Sequence, residues 1–177
     1  MSDPAPIDKT AIRHAATVIV LRDRQTEPRV LMGQRGAKAA FMPNKFVFPG
    51  GAVDAADANI TLAEQIPAPC NARLVEDCAS DITAPPCVAA IRELWEETGP
   101  ILGRKAPWPD TPPAAWCDFA AAGYLPSAEN LQFVFRAITP PGRPRRFDAR
   151  FFAIDASHLA GDIDDFSAAS DELSHLQ

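Results

Sequence analysis

The sequence contains no apolar run near the roughly 18 residues that a membrane-spanning helix needs. It also lacks a leader-like beginning: the first ten residues carry two acidic side chains and two prolines. A secretory signal would instead carry basic residues followed by an apolar stretch. We therefore expect a cytoplasmic protein without a membrane partner.

Cysteine is scarce, and its spacing does not form pairs. The four residues lie 8, 9 and 30 positions apart: Cys70, Cys78, Cys87 and Cys117. The absence of CxxC pairs excludes the usual structural zinc sites. Because no secretion signal is present, disulfides are not expected either. The sequence predicts four free thiols.

An excess of positive charge is also absent, since the formal net charge is −6. That balance disfavours nucleic acid as a partner. The charges are unevenly distributed: residues 54–99 hold nine acids and two arginines, whereas residues 143–150 hold four arginines. This separation suits a divalent cation together with a phosphorylated substrate. On charge counts alone, an uneven solvated surface is the favoured explanation.

The length of 177 residues and the 47% hydrophobic content predict a single domain over 1–177. Continuous β-branched and apolar residues predict a buried strand at 15–21 and two longer strands at 131–139 and 145–155. A helix is predicted over 87–98, where paired prolines precede it and Gly-Pro follows it. This mixture indicates an α/β or α+β fold.

The predicted helix carries a cluster of carboxylates. Positions i, i+3 and i+4 share one helical face, so Glu93, Glu96 and Glu97 converge there. Arg92 is the only neighbouring cation, and three like charges on one face weaken a helix. Hard cations such as Mg²⁺ prefer anionic oxygen ligands. The spacing alone leaves a metal site and an exposed acidic face about equally plausible.

The surrounding motif favours the metal site. RELWEETG at 92–99 resembles the second half of the box that defines the Nudix hydrolase family. Gly51 and, after five further residues, Asp57 resemble the first half of the box, with Asp57 in place of the usual glutamate. FVFPGGAVD at 46–54 resembles the strand and turn that introduce the box. The resemblance implies a Nudix-type α/β/α sandwich with a mixed sheet and a carboxylate-bearing central helix.

Two further features depart from the family pattern. First, 34 residues separate Asp57 from Arg92, so an insertion splits the box, and we expect 58–85 to form a flap at the rim of the site. The run from Gln34 to Asp57 resembles a branch related to the peroxisomal coenzyme A diphosphatases, which carries such an insertion. Second, residues 172–177 read as the opening of another strand, and the family's last strand and helix are not visible. We therefore expect a shortened form, or closure of the fold by a homodimer.

The resemblance also implies roles for particular residues. Glu93, Glu96 and Glu97, with the carbonyl of Gly50 or Gly51, are the implied ligands of Mg²⁺ or Mn²⁺. Arg92 would fix the carboxylate rotamers, and Asp57 would support the cluster without binding metal. The general base stays open among Glu93, Glu96 and Glu172. The candidate substrate-binding residues are Arg35, Phe48, Arg145 and Arg146, although an exposed basic edge strand explains the last two nearly as well.

The implied reaction is hydrolysis of a diphosphate linkage in a small, nucleotide-derived molecule. The favoured substrate is coenzyme A or an acyl-coenzyme A. ADP-ribose or a dinucleoside polyphosphate is the enzymatic alternative. A Nudix-fold nucleotide-binding module without catalysis is the alternative from another class, and the intact acidic cluster argues against it.

Overall fold

The computed structural model describes residues 11–37, 42–76, 78, 82–143 and 145–177. Within these ranges the elements are β1 (Ile12–Arg22), β2 (Arg29–Val30), β3 (Gly33–Arg35), β4 (Phe46–Val47), β5 (Gly50–Ala52), α1 (Ala68–Leu74), α2 (Ala84–Thr98), β6 (Gly103–Lys105), α3 (Cys117–Ala121), β7 (Tyr124–Pro126), β8 (Gln132–Ile138), β9 (Arg146–Asp155) and β10 (Leu173–Ser174). Among the described helices, none has the length and apolar character required to cross a membrane. All four cysteines are free thiols, as predicted.

The central sheet has the strand order β2-β1-β9-β8, and β5 also pairs with β1. β1 and β9 run parallel over their whole shared length, from Ile12 opposite Arg146 to Leu21 opposite Asp155. The other pairs in this sheet are antiparallel. The sheet is therefore mixed, and the predicted α/β class is confirmed. Two smaller sheets accompany it, β10-β3-β4 and β6-β7.

The two faces of the central sheet have different roles. In β1, Val18 and Val20 are buried, whereas Thr17 and Ile19 on the other face are only partly buried. The first face packs against α2, whose Ile91 is fully buried in the same core cluster. The alternation follows from the two-residue period of a strand. The second face of the sheet is therefore free to form the floor of a cavity.

α2 begins three residues earlier than predicted, at Ala84. Pro85 and Pro86 lie inside its first turn, where a helix tolerates proline because the first N–H groups have no intrahelical acceptor. The helix ends at Gly99, which has a φ of 96° and donates its N–H to the Trp95 carbonyl. Glycine accepts this left-handed conformation without steric cost.

The inserted segment packs as part of the core. Its apolar side chains are buried among those of the main domain: Ile60, Leu62, Ile66, Cys70 and Leu74. In α1, Arg73 donates to the carbonyls of Phe133 and Val134, both at 2.9 Å, at the point where the pairing of β8 with β9 shifts register. The described part of 58–85 therefore contributes buried side chains to the core, and none of its described residues lines the cavity described below.

Candidate active site

α2 presents its functional side chains on the side that faces β5. Leu94 and Ile91 are fully buried and hold the opposite side of the helix in the core. This anchoring leaves four functional side chains near the loop that leads into β5: Arg92, Glu93, Glu96 and Glu97. The helical period alone brings these four groups together.

Arg92 is the centre of the hydrogen-bond network. Its guanidinium donates to Asp57 Oδ1 at 3.0 Å and Oδ2 at 3.2 Å, which is a two-pronged ion pair. It also donates to Glu93 Oε1 at 2.8 Å, Glu96 Oε2 at 3.2 Å and the Ala52 carbonyl at 3.1 Å. The hydrogen bond and charge of Asp57 and the neighbouring glutamates raise the pKa of Arg92, although burial acts against this. The planar guanidinium fork suits such a site better than a lysine would.

Asp57 supports the cluster from the loop after β5. The side chain is buried, and its Oδ2 also accepts the Asp54 N–H at 2.8 Å. Both oxygens thus accept hydrogen bonds from Arg92, and one of them also from the local turn. Asp57 thereby links the loop after β5 to Arg92 on α2.

Glu97 is the most deeply buried carboxylate of the cluster, with 1% of its surface exposed. Its Oε2 accepts the Gly50 N–H at 2.8 Å, whereas its Oε1 is buried and has no hydrogen-bond partner among the described residues. Burial raises the pKa of Glu97 from 4.5 to about 8, opposed by the Gly50 hydrogen bond. A buried acceptor without a donor is costly, and a bound cation would satisfy it.

Glu93 lies where a side chain on Gly51 would otherwise stand. A Cβ built on Gly51 would overlap the Glu93 carboxylate group, so only glycine permits this approach. Gly50 is restricted as well, because its Cβ would meet the β1 backbone at Ala16 and Thr17. Burial raises the pKa of Glu93 from 4.5 to about 7, although Arg92 acts in the opposite direction.

Glu96 is the most exposed of the three glutamates, at 35% of its side chain. Its pKa is also raised by burial, against the opposing effect of Arg92. In the described part of the chain, no three acidic, histidine or cysteine side chains stand together so as to hold a metal ion. Arg92 forms ion pairs with both Glu93 and Glu96.

The residues nevertheless suit a hard divalent cation. The donors are carboxylate oxygens, the type that Mg²⁺ and Mn²⁺ favour. One of them, Glu97 Oε1, is buried and unpartnered among the described residues, and Gly51 leaves space beside Glu93. To complete a ligand set, Glu93 and Glu96 would exchange their contacts with Arg92 for the metal.

A cavity of about 880 Å³ opens on the second face of the central sheet, beside these groups. Glu93 is the only contribution from α2 to its described lining. Of the predicted substrate-binding residues, Arg35, Phe48 and Arg145 line it, as do Gly50 and Gly51. Arg146 is not in that lining, and its guanidinium donates to the Thr139 carbonyl at 3.1 Å between β8 and β9.

The segment around β10 brings a further acid to the cavity. Leu173 pairs with Arg35 and Ser174 with Gln34. Glu172 lines the cavity, and one of its oxygens lies 3.3 Å from Arg35 Nη2. The negative charge of Glu172 also contributes to the raised pKa of Glu97. Arg35 and Glu172 are separate candidates in the sequence, and no pattern there indicates that they pair.

The comparisons with known proteins agree with this architecture. No protein-family model matches the chain. A NUDIX hydrolase structure from Alicyclobacillus acidocaldarius is 31% identical, with a TM-score of 0.67, and the match covers 94% of this chain and 78% of that one. A MutT/nudix family protein from Enterococcus faecalis matches at 15% identity over 100% of this chain and 46% of that one, with a TM-score of 0.52. This second likeness concerns the fold alone.

A curated protein of Caenorhabditis elegans, nudix hydrolase 7 by name, is 34% identical over 152 residues, and the match covers 79% of this chain. The chain spans 43% of the length of that relative. The mixed sheet, the glutamates on α2 and the adjacent Gly50–Gly51 pair define an α/β fold of the Nudix class. Together with the similarity to the Alicyclobacillus structure, they show that the chain belongs to the Nudix hydrolase family.

Proposed function

We propose that this chain hydrolyses a diphosphate linkage in a nucleoside diphosphate derivative, and that coenzyme A or an acyl-coenzyme A is its favoured substrate. The observation that carries this proposal is the pair of carboxylates held against Gly50 and Gly51 beside a large cavity: Glu97 is buried and Glu93 is partly buried. Folding does not need two acids shielded from water in this way, since burial makes their charged forms unfavourable. Carboxylates whose pKa is raised by burial, as for Glu93 and Glu97, cluster at catalytic sites.

Mg²⁺ or Mn²⁺ is the proposed cofactor, held by Glu93, Glu96 and Glu97 with the carbonyl of Gly50 or Gly51. When bound, such a metal neutralises phosphate charge and lowers the pKa of a bound water. Arg92 keeps the glutamates in position through charge-assisted hydrogen bonds. The general base remains one of Glu93, Glu96 and Glu172, all of which lie within this cluster or line the cavity.

The lining of the cavity supports an anionic substrate that also carries apolar groups. Arg13, Arg35 and Arg145 supply positive charge, whereas Phe48 and Phe151 supply apolar surface. A diphosphate approaching a carboxylate cluster would be repelled without such cations. The proposed preference for coenzyme A rests on the sequence resemblance between Gln34 and Asp57.

The test is a panel of coenzyme A, acetyl-coenzyme A, ADP-ribose and a dinucleoside tetraphosphate, each with Mg²⁺ or with a chelator. We expect metal-dependent release of two phosphate-containing products, with the highest kcat/KM for a coenzyme A species. Glu97→Gln should lower kcat by at least about a hundredfold. A higher kcat/KM for ADP-ribose would overturn the favoured substrate, and absence of metal-dependent turnover would overturn the proposed reaction.

A further inference from the structure

The floor of the cavity has an unusual composition. Strand register places four alanines side by side across four neighbouring strands, and all four line the cavity. In spatial order they are Ala52 on β5, Ala15 on β1, Ala149 on β9 and Ala137 on β8. Neighbouring strands lie about 4.8 Å apart, so this row extends for about 14 Å across the sheet.

Larger side chains flank the alanine row on both sides. Two positions further along the strands, Thr17 pairs with Phe151 and Phe151 pairs with Phe135. The two phenyl rings stack at 4.3 Å with an interplanar angle of 13°. Two positions in the other direction, Phe147 pairs with Arg13, and both line the cavity. The row is therefore the bottom of a trench that runs across the strands.

The two ends of the trench differ. At β5 it begins beside Gly51 and Glu93, where the Glu97 Oε1 is buried without a partner among the described residues. At β8 it reaches an edge of the central sheet. There Ala137 is exposed, and Ile138 lines the cavity with 49% of its surface exposed. The trench thus connects the carboxylate cluster with an open apolar margin.

The dimensions favour an extended occupant over a planar one. Phe147 and Phe151 are four residues apart on β9, so their Cα atoms lie about 13 Å apart. A single aromatic ring could not stack on both walls at that separation. An extended chain crossing the strands would contact the alanine floor along its whole length of about 14 Å.

We infer that this trench holds an extended apolar chain carried by the group attached to the diphosphate, and that Ala137 and Ala149 are the specificity-determining residues that admit it. The inference rests on the proposed function, because it places the diphosphate at the Glu93 end. A larger side chain at either alanine would fill the trench between the phenyl walls. Each methylene of the substrate that is buried there increases affinity severalfold.

The test compares coenzyme A with its acetyl, octanoyl and palmitoyl thioesters. For the unaltered protein we expect kcat/KM to be at least about tenfold higher for the octanoyl thioester than for coenzyme A. Ala137→Leu, at an exposed position, and Ala149→Leu should each lower this ratio about tenfold. Ala153→Leu is the matched control, because Ala153 lies further along β9 outside the cavity lining, and it should leave the ratio unchanged.

Two results would overturn the inference: a ratio near one in the unaltered protein, or a ratio that Ala137→Leu and Ala149→Leu leave unchanged. If none of the compounds is hydrolysed with Mg²⁺, the proposed function fails. The same series is then measured as dissociation constants by calorimetry. Tighter binding of the octanoyl thioester, weakened by Ala137→Leu but not by Ala153→Leu, would still support the trench, and equal binding throughout would refute it.

Discussion

Replacing Glu97 by glutamine should stabilise the metal-free protein while removing its response to metal. The carboxylate is buried and accepts one hydrogen bond, from Gly50. Its pKa is raised by burial from 4.5 to about 8. Between pH 4.5 and about pH 8, Glu97 is protonated in the folded state but ionised in the unfolded state. The free energy of unfolding therefore falls as the pH rises through this range.

The magnitude follows from the width of that window. One pKa unit corresponds to about 1.4 kcal/mol, so the charge on Glu97 destabilises the metal-free fold by about 2–4 kcal/mol near pH 8. Glutamine has nearly the same shape, keeps an acceptor for the Gly50 N–H and carries no charge. For a domain of this size, each kcal/mol shifts Tm by about 2–4 °C. We expect Glu97→Gln to raise Tm by at least about 5 °C at pH 8.

Thermal unfolding in EDTA at pH 5 and pH 8 measures this effect. The increase in Tm caused by Glu97→Gln should be large at pH 8. It should be small at pH 5, where Glu97 of the unaltered protein is protonated in the folded state. Added Mg²⁺ should raise Tm of the unaltered protein and leave that of Glu97→Gln unchanged. Glu129→Gln is the control, because that side chain is 40% exposed. A Tm at pH 8 equal to or below that of the unaltered protein would refute the reasoning.

Three other substitutions test separate parts of the structure. Gly51→Ala should displace the flexible end of Glu93 and lower kcat at least about tenfold with little change in Tm. Gly36→Ala is the control, because a Cβ there meets open space, and it should change neither kcat nor Tm. Equal rates for the two variants would contradict the close approach of Glu93 to Gly51. Arg92→Leu leaves a buried carboxylate cluster without its cation and should cost about 3–5 kcal/mol in urea unfolding, and a loss below about 1 kcal/mol would count against the network. Leu74→Ala should lower the free energy of unfolding by about 2–4 kcal/mol, because Leu74 is buried in the core cluster, and a neutral effect would contradict that packing.

The elements that are predictable from the sequence are those with a long, regular pattern. The strands at 131–139 and 145–155 are observed as β8 and β9, and the helix at 87–98 as α2. Periodicity fixes which face of such elements is buried. The helical period also suffices to group Glu93, Glu96 and Glu97 on one side of α2.

The remaining features depend on register and long-range pairing. Asp57 and Arg92 are 35 positions apart, and the charges of the two residues do not by themselves indicate that they pair. The row that includes Ala15 and Ala149 exists only because β1 and β9 align at that register. A shift of one residue would turn these side chains to the other face of the sheet. The apolar residues of the insertion show no regular period, so the sequence does not indicate which part of the domain they pack against.

The contact between Arg73 and β8 has a consequence for the behaviour of the chain in concentrated solution. Edge strands with unpaired backbone groups recruit strands from other molecules and so initiate aggregation. Arg73 donates hydrogen bonds to two consecutive backbone carbonyls of the edge strand β8, those of Phe133 and Val134, at its register shift. The insertion therefore makes these two carbonyls less available for pairing with another molecule. Damage to α1 should therefore first appear as turbidity and lost soluble yield, even in molecules whose carboxylate helix is still intact.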